Sequence, residues 1–459
     1  MYVPVGSGPA ADVPEVEDDA VPVLPARQAG LSRLARGAGL IRGVGAAEIG
    51  ARVRAGRALL DRPLTSYYLI AGITTLLLSL GLVMVLSTAS VADLSLGKSP
   101  YHDFEVQLAG ILVGVPIIWV TAHSSPRLFR AVAYPLLAVA LLGLALTLIP
   151  GLAQNNGVDA NRWIDVGPFT VQPSELAKLA LALWGADLLA RKEKLGLLVD
   201  WRHLLVPLLP GTGVMALLVM AGHDLGTTFI LLIVLLALLW IGGLPGRVFA
   251  VMLILMGLVL VLLVVTEGYR MARLTEFWNP SSNDPVGPDQ QSIQGRYALG
   301  SGGLFGVGLG ASREKWGWLP ESNSDMIFAI IGEELGLVGT LCITALYGGL
   351  AWAGLRVTRR VPDTFSRLLA AAITAWIVMQ AVVNIGGVIG VFPITGVPLP
   401  LVSQGLSSVL TTMVGLGMLM SLARREPGAS QALAARGRSP AVRALGWLQQ
   451  GRWMARDRG

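Results

Sequence analysis

Ten apolar stretches recur along this 459-residue chain, at approximately residues 66–90, 106–122, 129–149, 174–190, 204–221, 225–242, 247–266, 326–355, 368–391 and 405–423. A helix needs about 20 apolar residues to cross a bilayer. Inside lipid a backbone has to satisfy its own hydrogen bonds, so repeated segments of this kind fold as helices. Charged residues make up only 14% of the chain, against roughly 25% in globular domains, and mean hydropathy is +0.64. The fold class expected is an all-α polytopic membrane protein with ten transmembrane helices. A cytosolic enzyme and a disulfide-built secreted domain are excluded. The single cysteine, Cys342, has no partner for a disulfide or a zinc site. His102, His123, His203 and His223 are scattered without ligand spacing, so a histidine-built metal site is not expected.

The basic residues give an independent test of the span count. Arg127 and Arg130, then Arg191, Lys192 and Lys194, then Arg247, then Arg356, Arg359, Arg360 and Arg367 occupy alternate loops. All fall on the side of two arginine-rich tails, residues 1–62 and 426–459. By the positive-inside rule that side is the cytoplasm, with both termini there. The net charge of +6 therefore reads as a topology signal and a contact with anionic lipids through the tails, with no nucleic acid implied. Residues 1–26 carry five prolines and an acidic cluster, Glu15, Glu17, Asp18 and Asp19, and have the composition of a disordered segment without the layout of a cleavable signal peptide.

The domain plan is a basic N-terminal tail (1–62), a membrane domain (63–425) and a basic C-terminal tail (426–459). A large extracytoplasmic loop, residues 267–325, joins helices 7 and 8. Such a length without a domain of its own points to function. No P-loop or Rossmann fingerprint is present and no ATP is available outside, so no nucleotide cofactor is expected and any chemistry there needs a substrate carrying its own energy.

Few ionisable groups remain to carry that chemistry. Arg162 precedes Gln172-Pro173-Ser174-Glu175-Leu176-Ala177-Lys178, where Pro173-Ser174 has the look of a capped helix start. Glu175 and Lys178 share a helix face, either as a structural bridge or as the wall of a polar cavity. Asp224 opens the sixth span in His223-Asp224-Leu225-Gly226-Thr227, as a helix cap or as a substrate group. The glycines of Ala298-Leu299-Gly300-Ser301-Gly302-Gly303, continued by Gly306, Gly308 and Gly310, suit tight turns or a phosphate cradle. Arg296, Arg313 and Lys315 add positive charge beside them. Trp318-Leu319-Pro320-Glu321-Ser322-Asn323-Ser324-Asp325 runs directly into the eighth span, so Asp325 stands at its outer mouth, as a cap, a base or a metal ligand. Glu333 and Glu334, about two turns deeper, demand compensation by Lys178 or an arginine. Asn384 and the segment Phe392-Pro393-Ile394-Thr395-Gly396-Val397-Pro398-Leu399-Pro400, followed by Ser403-Gln404-Gly405, read as a re-entrant or substrate-lining loop.

Together, Asn161 to Lys178, Asp224 to Thr227, Gln291 to Gly336 and Asn384 to Ser408 resemble the SEDS family of peptidoglycan glycosyltransferases, over about Leu64 to Arg425. Leu64-Thr65-Ser66-Tyr67 and Gly81-Leu82-Val83-Met84-Val85-Leu86-Ser87 look more like the FtsW type of actinobacteria than the RodA type. The resemblance implies ten helices, polymerisation of lipid II at the outer face of the cytoplasmic membrane for septal synthesis, a class B penicillin-binding protein as partner, and other divisome membrane proteins around it. It puts the family's essential aspartate at Asp325, its cavity Glu and Lys at Glu175 and Lys178, and its Pro-Asp-Leu-Gly aspartate at Asp224. The chain departs from the family pattern at Ser322-Asn323-Ser324, at His223 and at Ser403-Gln404-Gly405-Leu406.

On this reading Asp325 is the catalytic base or holds a divalent cation, Mg or Mn, at a pyrophosphate. Arg162, Lys178 and Arg296 are the candidates for phosphate contacts, and Glu175, Asp224 and Ser403 complete the expected substrate site. A lipid II flippase using the same intramembrane charges, and a catalytically silent division scaffold, are the rival readings.

Overall fold

The computed structural model describes residues 63–149, 162–166, 169–265 and 289–432, apart from residues 96, 98 and 430. Residues 1–62 and 433–459 lie outside the described residues, as do Asn161, Phe277-Trp278-Asn279-Pro280 and Asp284-Pro285. The described part belongs to one compact unit, Pro63–Gly459.

Every apolar stretch read from the sequence coincides with helix: α1 (Thr65–Ser95), α2 (His102–His123), α3 (Pro126–Leu146), α4 (Pro173–Lys194), the pair α5 (Arg202–Leu205) and α6 (Leu208–Ala221), α7 (Leu225–Ile241), α8 (Gly246–Val265), α10 (Ile327–Arg360), α11 (Thr364–Val388) and α12 (Leu406–Ala423). A further helix, α9 (Asp289–Ser301), lies in the long loop. Among the described residues seven helical segments are long and apolar enough to cross a membrane. The segments Leu225–Ile241 and Gly246–Leu262 are apolar but shorter. The remaining one, α4, carries Glu175, Lys178, Asp187 and a basic last turn within 22 residues.

The charge on α4 follows from its place in the bundle. It packs against α3, α7 and α11, and nearly every residue from Pro173 to Ala190 is buried. A helix enclosed by protein on all sides does not need a lipid-compatible surface. Its charges meet partners instead: Asp187 accepts from Arg191 at 2.6 Å and lies 3.8 Å from Arg130. By contrast α8 exposes Val251, Ile254, Leu258, Val261 and Leu262, and α2 exposes Leu112, Val113, Val115 and Trp119, as helices facing hydrocarbon would.

The structure adds one element to the all-helical expectation. Ile164–Val166 and Phe169–Val171 form an antiparallel hairpin, with Asp165 opposite Thr170. Each strand is three residues long, too short for alternation to be read from sequence.

Helix α10 is broken at Gly336 (φ 67°, ψ −163°), and the glycine-rich stretch after α9 fills the break. Val307 N–H donates to Glu333 O at 2.9 Å and Gly308 N–H to Glu334 O at 3.1 Å, while Leu337 and Val338 N–H donate to Gly303 O and Leu304 O at 3.0 and 3.2 Å. The carbonyls of Glu333 and Glu334 and the N–H groups of Leu337 and Val338, freed by the kink, are thus paired again. These contacts explain the glycines, which the sequence left open between turn and phosphate cradle. A Cβ on Gly302 would sit 1.9 Å from Gly332 O, and one on Gly306 would sit 2.1 Å from Glu334 O. Gly306 also has φ +79°. Gly306→Ala is therefore expected to combine about 1–2 kcal/mol of left-handed backbone cost with about 1–3 kcal/mol of overpacking, read as a lower unfolding temperature in detergent.

The same clasp gathers the acids that needed compensation. Lys315 Nζ reaches Glu334 Oε1 at 3.1 Å and Ser87 Oγ at 3.0 Å, and Ser87 in turn donates to Glu334 Oε1 at 2.6 Å. Ser312 Oγ and Arg313 N–H donate to Glu333 at 2.5 and 2.9 Å. The compensating cation is thus Lys315; Lys178 is engaged elsewhere. Burial, and then the charge of Glu333, push the nearby Glu314 carboxyl above the ordinary glutamate range.

Candidate active site

The stretch leading to Asp325 ends in turns, and α10 begins at Ile327 with Met326 as its N-cap and no side-chain cap. Asp325 is therefore not the helix cap the sequence allowed. Its carboxylate is 8% exposed, with Gln291 Nε2 of α9 at 3.4 Å and Ser324 Oγ at 3.5 Å from Oδ1. The backbone on either side is held more tightly. Asn384 Nδ2, on α11, donates to Asp325 O at 2.7 Å and to Val397 O at 2.8 Å. Ser403 Oγ donates to Ser324 O at 2.5 Å and accepts from Leu399 N–H at 2.8 Å. Gln404 N–H donates to Asn323 O at 3.0 Å, and the two side chains pair at 2.5 Å. Beneath them, Gln107 of α2 holds Ser403 O and Gly405 N–H at 3.4 and 3.3 Å.

The non-helical stretch after α11 therefore forms a wall fitted to the aspartate loop. A crevice of about 10 Å³, room for about one water, lies between Asp325, Asn384, Gly387, Thr395, Gly396 and Val397. The other side of the wall meets the start of α7. A Cβ on Gly226 would lie 2.6 Å from Thr395 O, and one on Gly396 would lie 3.9 Å from Asp325 Oδ2. Residues 395–397 thus stand between the Asp224 motif and the Asp325 motif, which are 101 positions apart by subtraction.

At the α7 end, Asp224 caps the helix by accepting Thr227 N–H at 3.0 Å. Its Oδ2 accepts from Ser174 Oγ at 3.2 Å and Gln172 Nε2 at 3.3 Å, tying α7 to α4. Ser174 is therefore a strut to Asp224, and Gln172 is the N-cap of α4 without a side-chain cap bond. Arg162 Nη2 donates to His223 O at 2.5 Å, while its Nε is buried without a partner among the described residues. Arg296, on α9, is exposed and folds back on Ser292 O and Oγ at 3.3 Å.

Three expected substrate contacts turn out to be interior braces in this conformation. Glu175 and Lys178 are 1% and 0% exposed and pair at 2.7 Å. Lys178 Nζ also donates to Gln380 Oε1 at 2.8 Å and lies 5.6 Å from the centre of the Trp376 ring. Gln380 Nε2 donates to Pro398 O at 2.9 Å, so this buried pair supports the wall behind Asp325 and presents no charge to a phosphate. Ser403 is 2% exposed, with its hydroxyl used twice by backbone. The sequence reading includes Asn384 with the substrate-lining segment but not Gln380; the available signal for Gln380 was a second amide, four residues before Asn384, inside an apolar helix.

Asp325 is the one acid lining the crevice, and no group of three or more His, Cys, Asp or Glu gathers as a metal cage among the described residues. One carboxylate does fit a cation of the Mg²⁺ type, which is commonly bound by one or two carboxylates together with substrate phosphates. Asn384→Leu should leave two buried carbonyls unpaired and let the aspartate loop drift. A displacement near 1 Å is worth about 100-fold in rate, expected in turnover with substrate binding retained.

Residues 67–427 match the family described as cell cycle protein, FtsW/RodA/SpoVE. The chain belongs to that family. Proteins named "Probable peptidoglycan glycosyltransferase FtsW" from Mycobacterium tuberculosis and Mycobacterium bovis are 43% identical over 391 residues, covering 84% of this chain and 73% of theirs. Stage V sporulation protein E of Bacillus subtilis is 37% identical, over 77% of this chain and 95% of its own. Among solved structures, a chain of a peptidoglycan synthase complex, in work on its coordination of polymerization and crosslinking, superposes with TM-score 0.63 at 26% identity, over 80% of this chain and 99% of that one. Rod shape determining protein RodA of Thermus thermophilus superposes with TM-score 0.54 at 27% identity, over 80% and 98%. FtsW/RodA/SpoVE membership makes the chain a multi-pass membrane protein of the FtsW type, and the family match covers all the site residues above.

Proposed function

We propose that this chain is a peptidoglycan glycosyltransferase that polymerises lipid II for septal synthesis, with Asp325 at the reacting centre. The observation that carries the site is a single carboxylate, buried at the head of α10 and held by α9, α11 and the 395–405 wall. The names of the mycobacterial relatives support the reaction, and the synthase-complex neighbour supports polymerisation with a class B penicillin-binding protein as partner. The basic loops and the end of α12 share one end of the bundle, while Asp224 and Asp325 sit at helix starts on the other. The positive-inside rule makes the first end cytoplasmic, with both tails, and the second extracytoplasmic. This reading keeps ten spans, with α4 enclosed by protein, α7 packed against α4 and α11, and α8 packed on α7 with an apolar face turned outward.

In the reaction a sugar 4-hydroxyl attacks the anomeric carbon of a lipid-linked glycan. A new glycosidic C–O bond forms, the C–O bond to pyrophosphate breaks, and the hydroxyl proton passes to the Asp325 carboxylate. A divalent cation held by Asp325 would supply positive charge to the departing pyrophosphate. Arg162 has an unused buried N–H to offer a phosphate, and Arg296 has an exposed guanidinium above α9. The one-water crevice admits no sugar, so the wall and the aspartate loop have to part when substrate enters.

The test uses purified protein in liposomes with labelled lipid II, Mg²⁺ or Mn²⁺ and the partner synthase. Polymer on the side opposite the basic tails is the expected result. Lipid II that crosses the bilayer without polymer would replace this reading with that of a flippase.

A further inference from the structure

At the other end of α10 from Asp325 lies a pocket of about 1020 Å³, at the upper limit of the size class of ligand sites, about 300–1,000 Å³. It is walled by the end of α2, the start of α3, the α10–α11 turn and the end of α12. Its charge is lopsided. Among the described residues Asp363 is the one acid in its lining, and it is already bound to Arg130 at 3.3 Å, which also faces Asp187 at 3.8 Å. Arg127 and Arg425 have no acidic partner among the described residues, and Arg424 donates to the carbonyl of Ala122 at 3.1 Å. Three guanidinium groups thus line one opening, and among the described residues its one carboxylate, Asp363, is engaged by Arg130.

The depth of the opening says what kind of anion it meets. Trp119, one turn before the pocket, is 62% exposed, and its ring lies 4.7 Å from that of His123 on the rim. Exposed tryptophans settle at the headgroup level of a bilayer. Val120 and Leu128, on the helices forming the rim, are 53% and 49% exposed and offer an apolar flank. We infer that this pocket binds the phosphate headgroup of an anionic glycerophospholipid, through Arg127, Arg424 and Arg425, with its acyl chains along α2 and α3. Arginine clusters at a membrane interface recognise such headgroups by bidentate, charge-assisted bonds. The site is separate from Asp325 and does not depend on the reaction assigned there.

The test is photo-crosslinking of the full-length protein in detergent with a phosphatidylglycerol carrying a photoreactive headgroup. Labelling is expected in the peptides around residues 122–130 and 421–425, competed by unlabelled phosphatidylglycerol and not by phosphatidylcholine. R127Q/R425Q should cut that labelling at least tenfold, while R436Q/R438Q, in the C-terminal tail, should leave it unchanged. Label confined to the tails, or equal competition by phosphatidylcholine, overturns the proposal. Competition by free inorganic pyrophosphate as strong as by phosphatidylglycerol makes the site one for a soluble phosphate and also overturns it. The competition arms use the unmodified protein, so a misfolded variant cannot hide the answer.

Discussion

Asp325→Ala should leave the helical bundle folded and lower polymerisation of lipid II by about 10²–10⁴-fold, the usual worth of a positioned general base. The fold should survive because the bonds that fix this loop are made by neighbours and backbone. Asn384 holds the Asp325 carbonyl, Ser403 holds the Ser324 carbonyl and Gln404 holds Asn323, and the substitution leaves all three of these bonds in place. Asp325→Asn separates chemistry from shape. It keeps the volume of the side chain and removes both the basicity and the charge, so its activity should match that of the alanine variant. Labelled lipid II turnover checks the pair, with unfolding temperature as the control. Near-wild-type polymer from a folded Asp325→Asn would falsify the role of this carboxylate and move the search for the base to Asp224 or Glu321.

The helices were legible in the sequence because hydrophobic length is a one-dimensional property. Even α4, with its seven charged residues, was recognisable from an apolar middle, although nothing in that segment said that protein rather than lipid would surround it. Asp325 was legible for a different reason: a carboxylate next to a span is scarce. What the sequence could not convey was which polar groups are used up. Lys178 reads as an available cation until Glu175 and Gln380 are seen on it, and Ser403 reads as a ligand until two backbone groups occupy its hydroxyl. The same holds for Gly302 and Gly306, whose spacing suits a phosphate cradle equally well until the approach of Gly332 O and Glu334 O decides it. Composition and spacing report what each residue can do, and the pairing made in the fold, between neighbours and between residues far apart in the chain, decides what it does.

Lys178→Met should be among the most destabilising single changes in the membrane part, at about 3–5 kcal/mol, because it strands a buried carboxylate. Among the described residues Glu175 Oε2 already lacks a partner, and Oε1 would lose the ammonium that pairs with it at 2.7 Å. Gln380 would keep Trp376 Nε1 at 2.9 Å but lose its ammonium donor, loosening its hold on Pro398 O and so on the wall behind Asp325. Adding Glu175→Gln removes the stranded charge, and a neutral, similar-sized pair in a dry interior often costs little. The double variant should therefore recover most of the unfolding temperature. Its turnover then tells the two roles of this pair apart. If Glu175 and Lys178 act as a brace, activity returns with stability. Activity that stays absent in a fully stable double variant would mean that their charges meet the substrate once the crevice opens, and the brace seen in the closed state would be only half of their function.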